Sequence, residues 1–190
     1  MASKIMTATE AVKLIKGGDT VSVCGIIGAP VAEKVLTALE KRFLETGSPR
    51  NLTAVFPIAV GDVYGMPGAD HLAHEGLIKR VIGGSYVTAP ATSPPPKLVE
   101  MIYQNKVEAY NFPMGVLMHL HREIAAKRPG LLTEVGLGTF VDPRLQAAKM
   151  NERTREDLIE VIQLQGKEYL FYKSFPINVA IIRGTTADEH

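Results

Sequence analysis

Apolar positions along this 190-residue chain alternate between two rhythms, one helical and one extended. Near the start, Thr7-Ala8-Thr9-Glu10 has the spacing of a capping box, in which a hydroxyl and a carboxylate three residues apart satisfy each other's backbone N–H. Ala8, Ala11, Val12 and Ile15 then share one helical face, and Gly17-Gly18 stop that helix. A β-branched run over 20–24 predicts a short strand that leads into Gly25-Ile26-Ile27-Gly28-Ala29-Pro30. Val31, Val35, Leu39 and Phe43 recur at helical spacing, and Gly47-Ser48-Pro49 is the exit from that helix. Residues 52–58 are apolar nearly throughout, as a strand covered on both faces is.

The alternation continues after a Gly-rich connection, with a short helix near 69–74 and a strand near 78–82. Thr92-Ser93-Pro94-Pro95-Pro96 is a rigid lead-in to a helix over 97–103. A strand over 107–111 runs through Phe112-Pro113-Met114-Gly115 into a helix over 116–126. Residues 131–154 read as loop with short elements, and 151–157 as a solvated, mixed-charge helix start. Three strands are predicted at the end, over 158–164, 168–172 and 177–183, with Gln165-Gly166-Lys167 joining the first two as a hairpin. Strands alternating with helices imply parallel βαβ units, to which the last third adds a small antiparallel element. The expectation is one α/β domain over 1–190, a mainly parallel sheet flanked by helices, without internal repeats or an interdomain linker.

Composition narrows the function classes. Hydrophobic residues make up 46% and charged residues 22%, ordinary values for a globular domain. With 21 basic against 20 acidic residues the formal net charge is +1, so no excess charge draws the chain to nucleic acid or to an anionic membrane. No run approaches the roughly 18 apolar residues of a membrane span, and the first residues carry no signal-peptide stretch. Cys24 is the sole cysteine, which excludes an internal disulfide and a cysteine zinc site. A reducing, cytoplasmic location is the expectation.

Two segments occupy the strand-to-helix position where open parallel sheets bind ligands. In Val23-Cys24-Gly25-Ile26-Ile27-Gly28-Ala29-Pro30, Gly25 and Gly28 permit positive φ and close backbone approach. The segment is either a tight turn or a cradle for an anion at a helix start, and its spacing is neither a dinucleotide fingerprint nor a P-loop. In Asn111-Phe112-Pro113-Met114-Gly115, Pro113 cannot continue a central strand and Gly115 lets the backbone turn. Its backbone donors could form half an oxyanion hole, or the segment could be an ordinary connection. Cys24 is read as a small buried hydrophobe rather than a nucleophile. His71 and His74, at i,i+3, are read as surface or packing rather than metal ligands, and His119 and His121 cannot share a helical face. Asp62, in the connection after a buried strand, is the better placed carboxylate, or a turn former.

Taken together, these segments resemble the family I coenzyme A transferases, in particular the propionate and acetate (acyl) CoA-transferase branch. The likeness is carried by Lys41-Arg42-Phe43-Leu44-Glu45-Thr46-Gly47, by Gly68-Ala69-Asp70-His71-Leu72-Ala73-His74-Glu75-Gly76, by Gly136-Leu137-Gly138-Thr139-Phe140-Val141-Asp142-Pro143-Arg144, and by Phe175-Pro176-Ile177-Asn178-Val179-Ala180. The resemblance implies a two-half enzyme that moves coenzyme A from a short-chain acyl-CoA to a free carboxylate. Its nucleophilic glutamate would lie in a β half beyond this N-terminal (α) half, so Glu189 is not that residue. It also implies coenzyme A and acyl-CoA as substrates, no covalently bound cofactor and no metal. The partner would be a complementary β half, either continuing the chain or forming a separate subunit, and the full enzyme would be a homo-oligomer. The resemblance puts Gly25, Gly28, Met114 and Gly115 at the active-site lining and oxyanion position.

Three departures stand out. Met114 replaces the usual glutamine and cannot donate a hydrogen bond. Ile26 replaces the usual phenylalanine, with Pro30 two residues earlier than in relatives. Ala147-Ala148 stand where glycines are usual, which disfavours positive φ there. Two other classes compete: a sugar-phosphate isomerase or deaminase of similar build, for which no acid/base pair can be named, and a non-catalytic sensing or scaffold half.

Overall fold

A computed structural model describes residues 4–61, 65–86 and 94–187. The capping box forms at the first helix: Glu10 N–H donates to Thr7 Oγ1 at 3.3 Å, and Thr7 N–H donates to Glu10 Oε2 at 2.8 Å. Helix α1 (Ala8–Ala11) tightens into a 3-10 turn over Val12–Leu14 and stops before the glycines. Strand β1 (Thr20–Val23), helix α2 (Glu33–Thr46) and strand β2 (Leu52–Phe56) follow. Leu36, Leu39 and Phe43 form the buried stripe of α2, and Gly47 ends it in the left-handed conformation, with its N–H on the Phe43 carbonyl. Val31, assigned above to this helix, is buried in the connection before it.

A 3-10 turn (Gly68–Leu72), strand β3 (Ile78–Gly83), helix α3 (Lys97–Tyr103), strand β4 (Glu108–Asn111) and helix α4 (Met114–Ala125) complete the alternating part. β1 to β4 pair in parallel in the order β4-β3-β2-β1. The last predicted strand, expected with the antiparallel element, joins this sheet instead. Strand β8 (Val179–Ile181) pairs with β1 in parallel, making five strands in the order β4-β3-β2-β1-β8. Asn178 anchors that return: its side-chain carbonyl takes the Thr20 N–H at 2.8 Å, and its own N–H donates to the Thr20 carbonyl at 2.9 Å.

The sheet is covered on both faces, which is why β2 is buried at every position. One face packs Val21, Val23, Ala54 and Val81 against Leu36, Leu39, Leu98 and Ile102 of α2 and α3. The other packs Val55, Ile82 and Tyr110 against Val116, Leu117 and Leu120 of α4, and joins them to Leu170 and Tyr172 of a second sheet. That sheet is antiparallel, in the order β5-β7-β6, from β5 (Gly130–Thr133), β6 (Ile159–Leu164) and β7 (Lys167–Lys173). β6 and β7 form the expected hairpin, with Gln165 (φ 51) and Gly166 (φ 77) at its tip. β5 overlaps the stretch expected to be loop, because Gly130-Leu131-Leu132-Thr133 has no alternation and becomes a strand by pairing with β7.

Two further expectations are corrected. Residues 151–157 contain no helix; Glu156 reaches Arg80 at 2.6 Å and Asp157 reaches Lys149 at 2.6 Å. Ala147 and Ala148 adopt positive φ, 53° and 59°, despite their side chains. Ala148 is held there by its N–H to the Phe140 carbonyl and by its carbonyl to the Asn111 N–H. Asp62, Thr92, Ser93 and Glu189 lie outside the described residues. Among the described residues, no helix is long and apolar enough to cross a membrane.

Candidate active site

The chain leaves the sheet at β4 on one edge and returns at β8 beside β1, so the strand order reverses around β1. Open α/β sheets hold ligands at the carboxyl ends of strands next to such a reversal. A cleft of ≈ 620 Å³ lies there. Ser22, Val23, Cys24, Gly25 and Ile26 line it from the end of β1, and Ala180 and Ile182 from β8. Pro57 and Ile58 contribute from the end of β2, and Met114, Met118 and His121 from α4. Gly25 and Met114, 89 positions apart by subtraction of their numbers, are thus brought onto one cleft, whereas Gly28 and Gly115 are not among its lining residues.

Gly25 is crowded in space rather than constrained by φ: a β-carbon there would stand 3.2 Å from Val60 Cγ1 and 3.3 Å from Val31 Cγ2. The positive φ expected of Gly25 or Gly28 falls instead on Ile27, at 53°. Ile26 and Ala29 exchange both backbone hydrogen bonds at 2.9 Å, which makes Ile27-Gly28 the tip of a tight turn. That turn is fastened to the connection after β2, since Ile27 N–H donates to the Ala59 carbonyl and Gly61 N–H to the Ile27 carbonyl. A β-branched residue in this region is uncommon, and these two bonds supply the constraint that holds it. α2 begins only at Glu33, with an acidic side chain in its first turn, so this turn is not itself the start of an anion-holding helix.

Pro113 caps α4 with extended ψ (131°), and Met114 is the first helical residue. The turn is therefore made before Gly115, which sits inside the helix without positive φ and with open space around it. The N–H groups of the first helical turn have no acceptor one turn earlier, so the cleft has backbone donors at its α4 border. Met114 itself is 48% exposed, so its thioether belongs to the cleft wall and not to the core.

Cys24 is exposed, contrary to the expectation of a buried hydrophobe. It stands one residue past the last strand position, where the sheet no longer covers it, and its N–H still bonds the Ile181 carbonyl at 2.9 Å. His121 faces the sheet and His119 faces solvent, in keeping with their spacing. His121 Nδ1 lies 2.7 Å from the Leu117 carbonyl and Nε2 lies 2.9 Å from Ser22 Oγ. Sequence reasoning missed Ser22, Met118 and His121. A signal was available: Met114, Met118 and His121 stand at i, i+4 and i+7, one stripe of a helix.

His71 and His74 pack against α2. His71 is buried, with Nδ1 2.5 Å from Glu40 Oε2 and Nε2 2.8 Å from Glu33 Oε1, while His74 Nε2 lies 2.6 Å from Glu40 Oε1. Burial raises the Glu40 carboxyl pKa, but hydrogen bonds from His74 and His71 outweigh it and hold the group below its ordinary value. These contacts fasten the 3-10 turn to the helix. Among the described residues no group of three His, Cys, Asp or Glu side chains is arranged to hold a metal ion.

Comparison with known proteins agrees with this architecture. The coenzyme A transferase family profile matches residues 5–190. The chain is 47% identical over 188 residues to caffeate CoA-transferase of Acetobacterium woodii, covering 99% of this chain and 34% of that protein. It is 41% identical over 185 residues to the acetate CoA-transferase YdiF of Escherichia coli (strain K12), covering 97% of this chain and 34% of that protein. The crystal structure of the E. coli O157:H7 acyl-CoA transferase YdiF in a thioester complex with CoA superposes with a TM-score of 0.90 at 38% identity, covering 98% of this chain and 35% of that one. The chain spans about a third of the length of these relatives. A profile match over almost every residue, on a parallel sheet with this cleft at its strand ends, means that the chain belongs to the coenzyme A transferase family.

Proposed function

We propose that this chain is one part of an acyl-CoA:carboxylate CoA-transferase whose nucleophilic glutamate lies outside residues 1–190. The observation that carries the reading is the apolar cleft at the β1 end, bordered by Gly25 and by the N-terminus of α4 at Met114. In this reading the glutamate of the complementary part attacks the thioester carbonyl, giving an acyl–glutamyl anhydride and a coenzyme A thiolate. The thiolate attacks the glutamyl carbonyl, which releases the first carboxylate and leaves a glutamyl-CoA thioester. The incoming carboxylate then reverses the sequence and departs as the new acyl-CoA. Covalent catalysis divides one exchange into steps of matched energy. Each step passes through an oxyanion, for which the backbone donors at the start of α4 are the candidates on this chain.

The complementary part, as a continuation of the chain or a separate subunit, also explains the bare apolar side chains. Ile26, Met118 and Ile182 are 50%, 59% and 74% exposed around the cleft, a grouping that favours a covering surface. A homo-oligomeric, cytoplasmic full enzyme without a covalent cofactor belongs to the same proposal. The relatives are named for acetate and for caffeate, so the acyl group is what the cleft has to decide. The test is incubation with acyl-CoA and acetate, followed by mass spectrometry. The chain alone is expected to give no exchange, and addition of the complementary part is expected to give exchange and a coenzyme A adduct on that part. Turnover by the chain alone, or a coenzyme A adduct on it, overturns the proposal.

A further inference from the structure

One row of the sheet faces α4, and in the strand register it runs Ala180, Ser22, Val55, Ile82, Tyr110. Ser22 is the aliphatic-hydroxyl member of that row and lines the cleft. Its hydroxyl meets His121 Nε2 at 2.9 Å, across 99 residues of sequence. The other ring nitrogen of His121 lies 2.7 Å from the Leu117 carbonyl, which can only accept, so Nδ1 carries the proton. In the uncharged ring Nε2 is then an acceptor, and Ser22 must donate to it. The hydroxyl hydrogen is thereby committed, while the lone pairs of Ser22 Oγ have no other hydrogen-bond donor among the described residues.

We propose that Ser22, oriented by His121, is a specificity-determining acceptor for a hydroxyl group carried on the acyl chain of the substrate. The inference rests on the reading of the cleft as an acyl site and adds the class of acyl group. Apart from this pair and the Cys24 thiol, the side chains lining the cleft are apolar. An acceptor held in an apolar wall favours a ligand that brings a donor over one that leaves it unpaired. Met114 and Met118 suit the remainder of such a ligand, since thioethers adapt their shape and contact aromatic rings favourably. The volume of ≈ 620 Å³ admits a ring as readily as an aliphatic chain.

The test titrates the chain with para-hydroxyphenylacetate and with phenylacetate, following the methyl signals of Met114 and Met118 and the ring-nitrogen signals of His121. Both acids are expected to move the methionine signals, and the hydroxylated acid to bind roughly five- to tenfold more tightly and to move the His121 signals more. Ser22→Ala is expected to bring the two affinities together. Ser22→Thr, which keeps a hydroxyl on a β-strand, is expected to retain the preference. Equal affinities in the unmodified chain, or a preference that survives Ser22→Ala, overturn the inference and leave the acyl-site reading standing. If neither acid moves the methionine signals, the acyl-site reading falls and takes this inference with it.

Discussion

Gly84 lies directly beneath the first residue of α4: a β-carbon on Gly84 would stand 3.1 Å from Met114 Cα and 2.1 Å from the Pro57 carbonyl oxygen. Both neighbours are backbone or near-backbone atoms that border the cleft, so a side chain at this position can be admitted only by moving a cleft wall. Gly84→Ala is therefore expected to lower stability by roughly 1–3 kcal/mol, the range for overpacking. It is also expected to reduce turnover of the assembled enzyme by more than the loss of folded protein explains. Thermal melting together with active-site titration separates the two effects.

Met114→Gln asks whether a side-chain donor can be restored at the cleft. Because Met114 is 48% exposed, the amide would not be buried without partners, and stability is expected to stay within about 0.5 kcal/mol. If the start of α4 borders the thioester carbonyl, the single-turnover rate of the assembled enzyme is expected to rise, up to about a hundredfold. An unchanged rate at unchanged melting temperature would remove the Met114 side-chain position from the oxyanion site.

Ala148, fully buried at φ 59°, should tolerate glycine better than any larger residue. Relief of the left-handed conformation, about 1–2 kcal/mol, is offset by the lost buried methyl at about 0.8 kcal/mol and by the extra freedom of the unfolded chain at about 0.4–1 kcal/mol. Ala148→Gly is thus expected to be near neutral. Ala148→Val combines a β-branched residue in a disfavoured region with overpacking, and is expected to cost more than about 2 kcal/mol. Denaturant midpoints for the two variants check the contrast.

Asp142, in the loop between β5 and β6, is expected to make the fold sensitive to acid. It is 1% exposed, and the Arg144 guanidinium, followed by the Gly138 and Arg144 N–H groups, holds its carboxyl well below the ordinary value of 3.8. A carboxyl depressed in the folded state binds its proton more readily when unfolded. Its stabilising contribution is therefore complete above pH 3.8 and is lost as pH falls below it. Asp142→Asn is expected to lower stability by about 2 kcal/mol at pH 7 and to flatten the fall in melting temperature below pH 4. A parallel acid titration of both proteins is the measurement.

Much of this protein is local, and the sequence alone determined that part. The capping box at Thr7 and Glu10, the helical spacing of Val35, Leu39 and Phe43 and the nearly all-apolar strand at Leu52–Phe56 each depend on neighbours within a turn or two, so their spacing is enough, although the structure adds Leu36 to the buried stripe and leaves Val35 half-buried. The long strings shared with the coenzyme A transferases likewise placed the family without any coordinates. Tertiary structure decided the rest, because it depends on which distant segments meet. Val179–Ile181 reads as strand in either sheet, and only pairing with β1 makes it the fifth parallel strand and creates the reversal beside which the cleft lies. Ile27 and Ala148 take positive φ against their own preference because bonds to Ala59, Gly61, Phe140 and Asn111 hold them. Cys24 is exposed because the covering sheet ends one residue before it. Ser22 and His121 became a pair only when α4 crossed the face of β1, a contact no periodicity encodes.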